Sequence, residues 1–70
     1  MIDKGFKNLL ELNKERLLYR AENLYNEGHS IRCSCRMTIR HFLADIDTRL
    51  ELEEECTLID ELINEFLKRD

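Results

Sequence analysis

Residues 26–40 read Asn26-Glu27-Gly28-His29-Ser30-Ile31-Arg32-Cys33-Ser34-Cys35-Arg36-Met37-Thr38-Ile39-Arg40, and their folding decides what the rest of the chain can build. The first part is a reversal. Gly28 suits the position just past a helix C-terminus, where the backbone turns to positive φ and a Cβ is penalised. Ser30 offers a hydroxyl to the free N–H groups that open the next element. Length and chemistry together predict a short connection between two helices.

The second part reads two ways. Ile31, Cys33, Cys35, Met37 and Ile39 alternate with Arg32, Ser34, Arg36, Thr38 and Arg40, which is a strand pattern in weak helix formers. Yet Ile31, Cys35, Ile39, Phe42 and Ile46 keep a three-four helical spacing that continues past residue 40. A helix leaves Cys33 and Met37 off the apolar face. A strand has no partner within the chain and needs a second copy, as an intermolecular β-ribbon, or another protein's sheet edge. The helical reading is preferred.

Upstream, residues 4–27 predict one helix: Phe6, Leu10, Leu17, Ala21 and Leu24 recur at helical spacing, widened by Leu9, Leu18 and Tyr25. Asp3 is the expected N-cap. Asn13 falls where an apolar residue is due, either as a boundary residue tilted to solvent or as a buried asparagine that fixes dimer register.

Downstream, Leu52, Cys56, Ile59, Ile63 and Phe66, flanked by Leu62 and Leu67, predict a last helix over about 49–68. Its stripe lies roughly 140° around from that of Ile39, Phe42 and Ile46, taking about 100° per residue. One straight helix would then show two nearly opposed apolar faces. Thr48 followed by Glu51 has the form of a capping box and favours a break near 47–48, although no glycine or proline marks it.

The expected architecture is therefore all-α: one small domain over residues 1–70, a helical hairpin or three-helix bundle, with a second element at about 31–46. A core this small rarely supplies more than about 3–5 kcal/mol. Three cysteines cannot close a disulfide framework, so completion by dimerisation is expected. No basic-apolar leader pattern and no membrane-length apolar run appear, and cysteines without a secretory signal suit a reducing compartment. The expectation is a cytoplasmic protein without membrane contact.

Charge is uneven. Residues 1–27 balance Asp3, Glu11, Glu15, Glu22 and Glu27 against Lys4, Lys7, Lys14, Arg16 and Arg20. Residues 28–44 hold Arg32, Arg36, Arg40, His29 and His41 and no acid, and residues 45–70 hold ten acids against three bases. The net charge is −4. Either the basic and acidic segments pair internally, or the middle one meets an anionic partner.

Arg32, Arg36 and Arg40 share a face in either conformation, because a spacing of four is nearly one helical turn and also an even number. With His41 they form the candidate binding site. The face could be solvated, pair with acids such as Glu51, Glu53, Glu54 and Glu55, dock an acidic protein, or contact phosphates. An acidic chain suits nucleic acid less well, since electrostatics supplies most non-specific affinity.

The stretch Cys35-Arg36-Met37-Thr38-Ile39-Arg40-His41-Phe42-Leu43 resembles the recognition helix of bacterial helix-turn-helix regulators of the DeoR type. There a Ser-x-Met-Thr-Ile-Arg-x-x-Leu pattern is common, and Cys35 stands in the place of the serine. Asn26-Glu27-Gly28-His29-Ser30-Ile31-Arg32 resembles the start of such a motif's first helix. The spacing departs from the motif: only about eight residues separate Ser30 from Thr38, where a helix and a glycine-containing turn are needed. The likeness covers under a third of the chain.

His29, Cys33, Cys35, His41 and Cys56 are the conceivable zinc ligands, but a single Cys-x-Cys lacks the paired spacing of structural zinc sites. His29 and His41 have no nucleophile-and-acid company, and Gly5 and Gly28 cannot form a phosphate loop. No catalytic residue, metal or cofactor is expected. The functional expectation is a regulatory or adaptor-type interaction module, an inhibitor of a larger protein among the options. It would act by helix-face docking or dimerisation, with a nucleic-acid-binding regulator as the alternative.

Overall fold

The computed structural model describes residues 4–69 and is helical throughout: α1 (Lys4–Leu12), α2 (Lys14–Asn26), α3 (Ile31–Asp45) and α4 (Leu52–Lys68), with no strand among the described residues. There are four helices, not two or three. The expected Asp3 cap lies outside the described residues.

The extra boundary is at Asn13, where the single helix expected over 4–27 is interrupted. The Asn13 N–H is shared between the carbonyls of Leu9 and Leu10 at 3.2 Å each, and the backbone relaxes to φ −104°, ψ 5°. Its side-chain Nδ2 donates to Leu9 O at 2.9 Å. An asparagine amide that bonds the preceding turn competes with the regular ladder, and the helix is interrupted there.

The Gly28 turn has the expected chemistry. Gly28 sits at φ +110°, its N–H bonds Tyr25 O at 3.1 Å, and the His29 N–H reaches back to Leu24 O at 3.3 Å. That pair of bonds is the Schellman closure of a helix C-terminus. Ser30 Oγ then accepts from Cys33 N at 3.1 Å and caps α3.

Residues 31–40 are helix, so the β-ribbon alternative is set aside for the described chain. Ser34 and Thr38, polar in the alternating pattern, point into the core. Both are fully buried, and their hydroxyls donate to the carbonyls of Ser30 and Ser34 at 2.8 Å each. A hydroxyl satisfied within its own helix can be buried at little cost.

The α3–α4 break exists but is longer than the sequence indicates. Asp47 takes φ +51°, its N–H bonds Ala44 O at 3.1 Å, and Thr48 N bonds Leu43 O at 2.9 Å. The cap of α4 is Glu51, not Thr48, with the Glu54 carboxylate accepting from the Glu51 N–H at 3.3 Å. Glu53, Glu54 and Glu55 occupy its first turn and Lys68 its last, as the helix dipole favours.

Leu17, Leu18 and Ala21 of α2, Cys35, Ile39, Phe42 and Leu43 of α3, and Leu58, Ile59 and Leu62 of α4 form the core. Phe6, Leu9 and Leu10 of α1 pack against it only half-buried. The α4 stripe is rotated from the expected one: Leu58 faces inward, whereas Leu52 (71% exposed) and Cys56 face out. No helix among the described residues is long and apolar enough to cross a membrane.

Candidate functional site

On α3 the three arginines do share an outward face, and two of them turn to α4. Arg32 Nη2 lies 3.3 Å from Asp60 Oδ1, and Arg40 Nε lies 2.9 Å from Glu55 Oε1. Arg36 has no carboxylate within ion-pair distance among the described residues; its Nη2 lies 4.0 Å from Cys33 Sγ. His41 is exposed. Internal pairing of the basic and acidic segments, one of the readings left open by the charge pattern, thus engages the two ends of the arginine row. It came from Glu55 and Asp60 and not from the nearer run Glu51, Glu53 and Glu54, because only one face of α4 is turned toward α3.

Asn13, the other singled-out residue, is half-buried at the α1–α2 interruption, far along the chain from the arginine row. It lines a groove between α2 and the C-terminal half of α3, with Arg16, Tyr19, Arg20, Phe42, Ile46 and one acid, Asp45. Leu12 (84% exposed) lies one helical turn before Arg16, and Tyr19 is 66% exposed. Neither Arg16 nor Arg20 meets a carboxylate among the described residues. Other bases around α2 are engaged: Lys14 with Glu65 at 3.1 Å, and Arg69, just past α4, with both Glu15 and Glu22. The Glu65 carboxylate holds the Lys14 ammonium above its ordinary pKa.

Arg16 and Arg20 sit in a charge-balanced segment, so the charge pattern alone does not mark this groove. The available signal was their shared face with Tyr19. Aromatic and arginine side chains together, exposed and unpaired, are the composition that interface hot spots favour.

Of the conceivable zinc ligands, His29 and Cys33 come near each other, with Nδ1 and Sγ 4.0 Å apart, and the rest lie elsewhere. Cys35 is inside the core, with burial pushing its thiol up to about 11, and Cys56 is exposed on α4. No group of three His, Cys, Asp or Glu residues positioned to hold a metal ion occurs among the described residues. The helix-turn-helix likeness also meets its limit here. Ile31–Asp45 is one uninterrupted helix, and Thr38, Ile39, Phe42 and Leu43 of the resembling stretch are buried. No known family model, curated protein or solved structure matches the chain.

Proposed function

We propose that the chain is a small interaction module that docks a protein partner, or a second copy of itself, through the α2–α3 groove. The observation that carries this is the company of Arg16 and Arg20, neither within ion-pair distance of a carboxylate among the described residues, with the exposed Tyr19 in one groove that also holds Asp45. Exposed aromatic and aliphatic side chains next to unpaired arginines give a partner both apolar area and planar, multidentate hydrogen bonding. Acidic side chains on the partner would complete the set. A regulatory or inhibitory adaptor acts in this way, by occupying a surface and not by chemistry.

The nucleic-acid alternative would draw on Arg32, Arg36, Arg40 and His41. Arg32 and Arg40 would first have to leave Asp60 and Glu55, so the row offers phosphate less than its spacing promises.

A photoreactive aromatic residue in place of Tyr19, introduced into living cells, tests the reading. The expected result is a discrete covalent adduct with a protein or with a second copy, lost on adding Arg16→Glu and Arg20→Glu. A chain that sediments as a monomer and forms no adduct would overturn it. Salt-sensitive retention on DNA that disappears in Arg36→Ala would shift the assignment to the alternative.

A further inference from the structure

The α2–α3 groove carries both signs of charge, one on each wall. Arg16 and Arg20 stand on the α2 wall and Asp45 on the α3 wall, and all three are exposed. The ion pairs among the described residues engage other side chains and none of these. Between the walls lie the buried Leu17 and Phe42 and the half-buried Ile46, and Tyr19 stands 66% exposed in the same groove. An apolar floor between a basic wall and an acidic wall has a property that neither charge gives alone: it is complementary to itself, as the patch of a two-fold interface must be.

We propose that the groove is the interface of a two-fold symmetric homodimer, an inference that rests on the docking role of the groove and names a second copy as its occupant. A two-fold axis running along the groove lays α2 of each copy over α3 of the other, level for level. Arg16 and Arg20 then face the partner's Asp45, and Asp45 faces the partner's Arg16 and Arg20. A carboxylate has two oxygens and accepts from one guanidinium on each. Each contact is made twice, once on either side of the axis. Tyr19 is carried onto the partner's α3, so its ring is covered while its hydroxyl stays near the polar rim, the arrangement that suits tyrosine at interfaces.

Charge selects this arrangement over its rivals. An axis set across the groove brings α2 against α2 and sets Arg16 and Arg20 against their own copies, and like charges facing across an interface cost affinity. A head-to-tail contact, with the groove of one copy on the acidic outer face of α4 of the next, sets Asp45 against Glu53, Asp60 or Glu61, all exposed. Such a contact does not close on itself and propagates. Pairing of the same charges within one chain leaves Tyr19 uncovered and does not depend on a second copy. A chain of 70 residues also gains from association what its small core does not supply.

Sedimentation equilibrium of the full chain in reductant, which keeps the exposed Cys56 from linking copies, reads the association. Wild type should be a dimer. Arg16→Glu with Arg20→Glu sets acidic walls against each other, and Asp45→Arg sets basic ones, so each variant should self-associate at least about 10-fold more weakly. An equimolar mixture of the two restores opposite charges on both sides of the axis and should dimerise nearly as tightly as wild type. A monomeric wild type, or a mixture no tighter than its components, would overturn the proposal; the second result would assign the charges to pairing within one chain. A photoreactive residue in place of Tyr19 needs no charge variant to fold. It should link to residues 42–46 of the second copy, and a link to the partner's α2 would refute the axis. A monomer whose adduct is with another protein would rule out the second copy and leave the docking role of the groove standing, whereas a monomer without an adduct would end both.

Discussion

Asp47 ends α3 in the way that Gly28 ends α2. Each takes a positive φ, +51° and +110°, and each is followed by an N–H that reaches back to the third-last helical carbonyl: Thr48 N to Leu43 O, and His29 N to Leu24 O. The two closures differ in the residue that bears the strain. A left-handed conformation costs an ordinary L-residue roughly 1–2 kcal/mol, with Asp and Asn the better tolerated exceptions.

Opposite substitutions at the two sites should therefore have opposite signs. Asp47→Gly is expected to stabilise the chain by about 0.5–1 kcal/mol, because strain relief exceeds the entropy that glycine adds to the unfolded state. Gly28→Ala is expected to destabilise it by about 1–2 kcal/mol. No atom lies within 4 Å of a Cβ built at Gly28, so that cost is backbone conformation and not a clash. Urea denaturation of both variants measures the two values, and equal signs would contradict the equivalence.

Ala21 of α2 and Ser34, Cys35 and Thr38 of α3 have no accessible surface. Small residues at such positions let two helices approach closely, and a larger one has nowhere to go. Ala21→Leu should cost about 1–3 kcal/mol by overpacking. Thr38→Val should cost less than about 1 kcal/mol, since it removes one hydroxyl bond to Ser34 O while that carbonyl keeps its helical N–H. Thermal melts of the pair would show whether volume or polarity governs the seam; a larger loss in Thr38→Val would reverse that ordering.

The same positions explain what could be read in advance. Gly28 and Ser30 were legible because turn and cap chemistry is local, and so was the helical spacing of Cys35, Ile39 and Phe42. Ser34 and Thr38 misled, since a serine or threonine that bonds its own helix looks polar in sequence and behaves as a small core residue. The break at residue 47 was only half legible because an aspartate does a glycine's work there. Asn13 interrupts the apolar stripe in sequence, but the bond of its side chain to Leu9 O shows only in three dimensions. The pairing of Arg32 and Arg40 with Asp60 and Glu55 depends on how α3 and α4 are rotated, and no spacing rule within one helix carries that information.

Those two ion pairs should not be equal. Arg32 and Asp60 are both well exposed, and Arg32→Ala should cost no more than about 0.5 kcal/mol. Arg40 is exposed too, but its partner Glu55 keeps only 16% of its side chain accessible. Arg40→Ala leaves that half-enclosed carboxylate without its guanidinium and should cost about 1 kcal/mol, recovered in part by adding Glu55→Gln. Arg36→Ala should be neutral within about 0.5 kcal/mol. Denaturation at low and high salt orders the three, and an Arg36 effect as large as that of Arg40 would mean the row acts as one unit.

Cys35 makes stability fall in alkaline solution. Burial raises its thiol from 9.0 to about 11 in the folded chain, whereas the unfolded chain titrates near the lower value. Between these two pH values the unfolded chain has already lost the proton that the folded chain retains. Fewer protons are then bound in the unfolded state, so stability decreases as pH rises, by up to about 1.4 kcal/mol per pH unit from this group. Cys35→Ala isolates the contribution of the thiol from that of every other ionisable group. The variant should be less stable than wild type at pH 8, because it leaves a small void in the core, and the gap should narrow steadily toward pH 10.5. Parallel curves would mean that the sulfur is not shielded. Thiol labelling checks the same shielding without a variant: Cys56 should react in the folded chain, and Cys35 only at the rate at which the bundle opens.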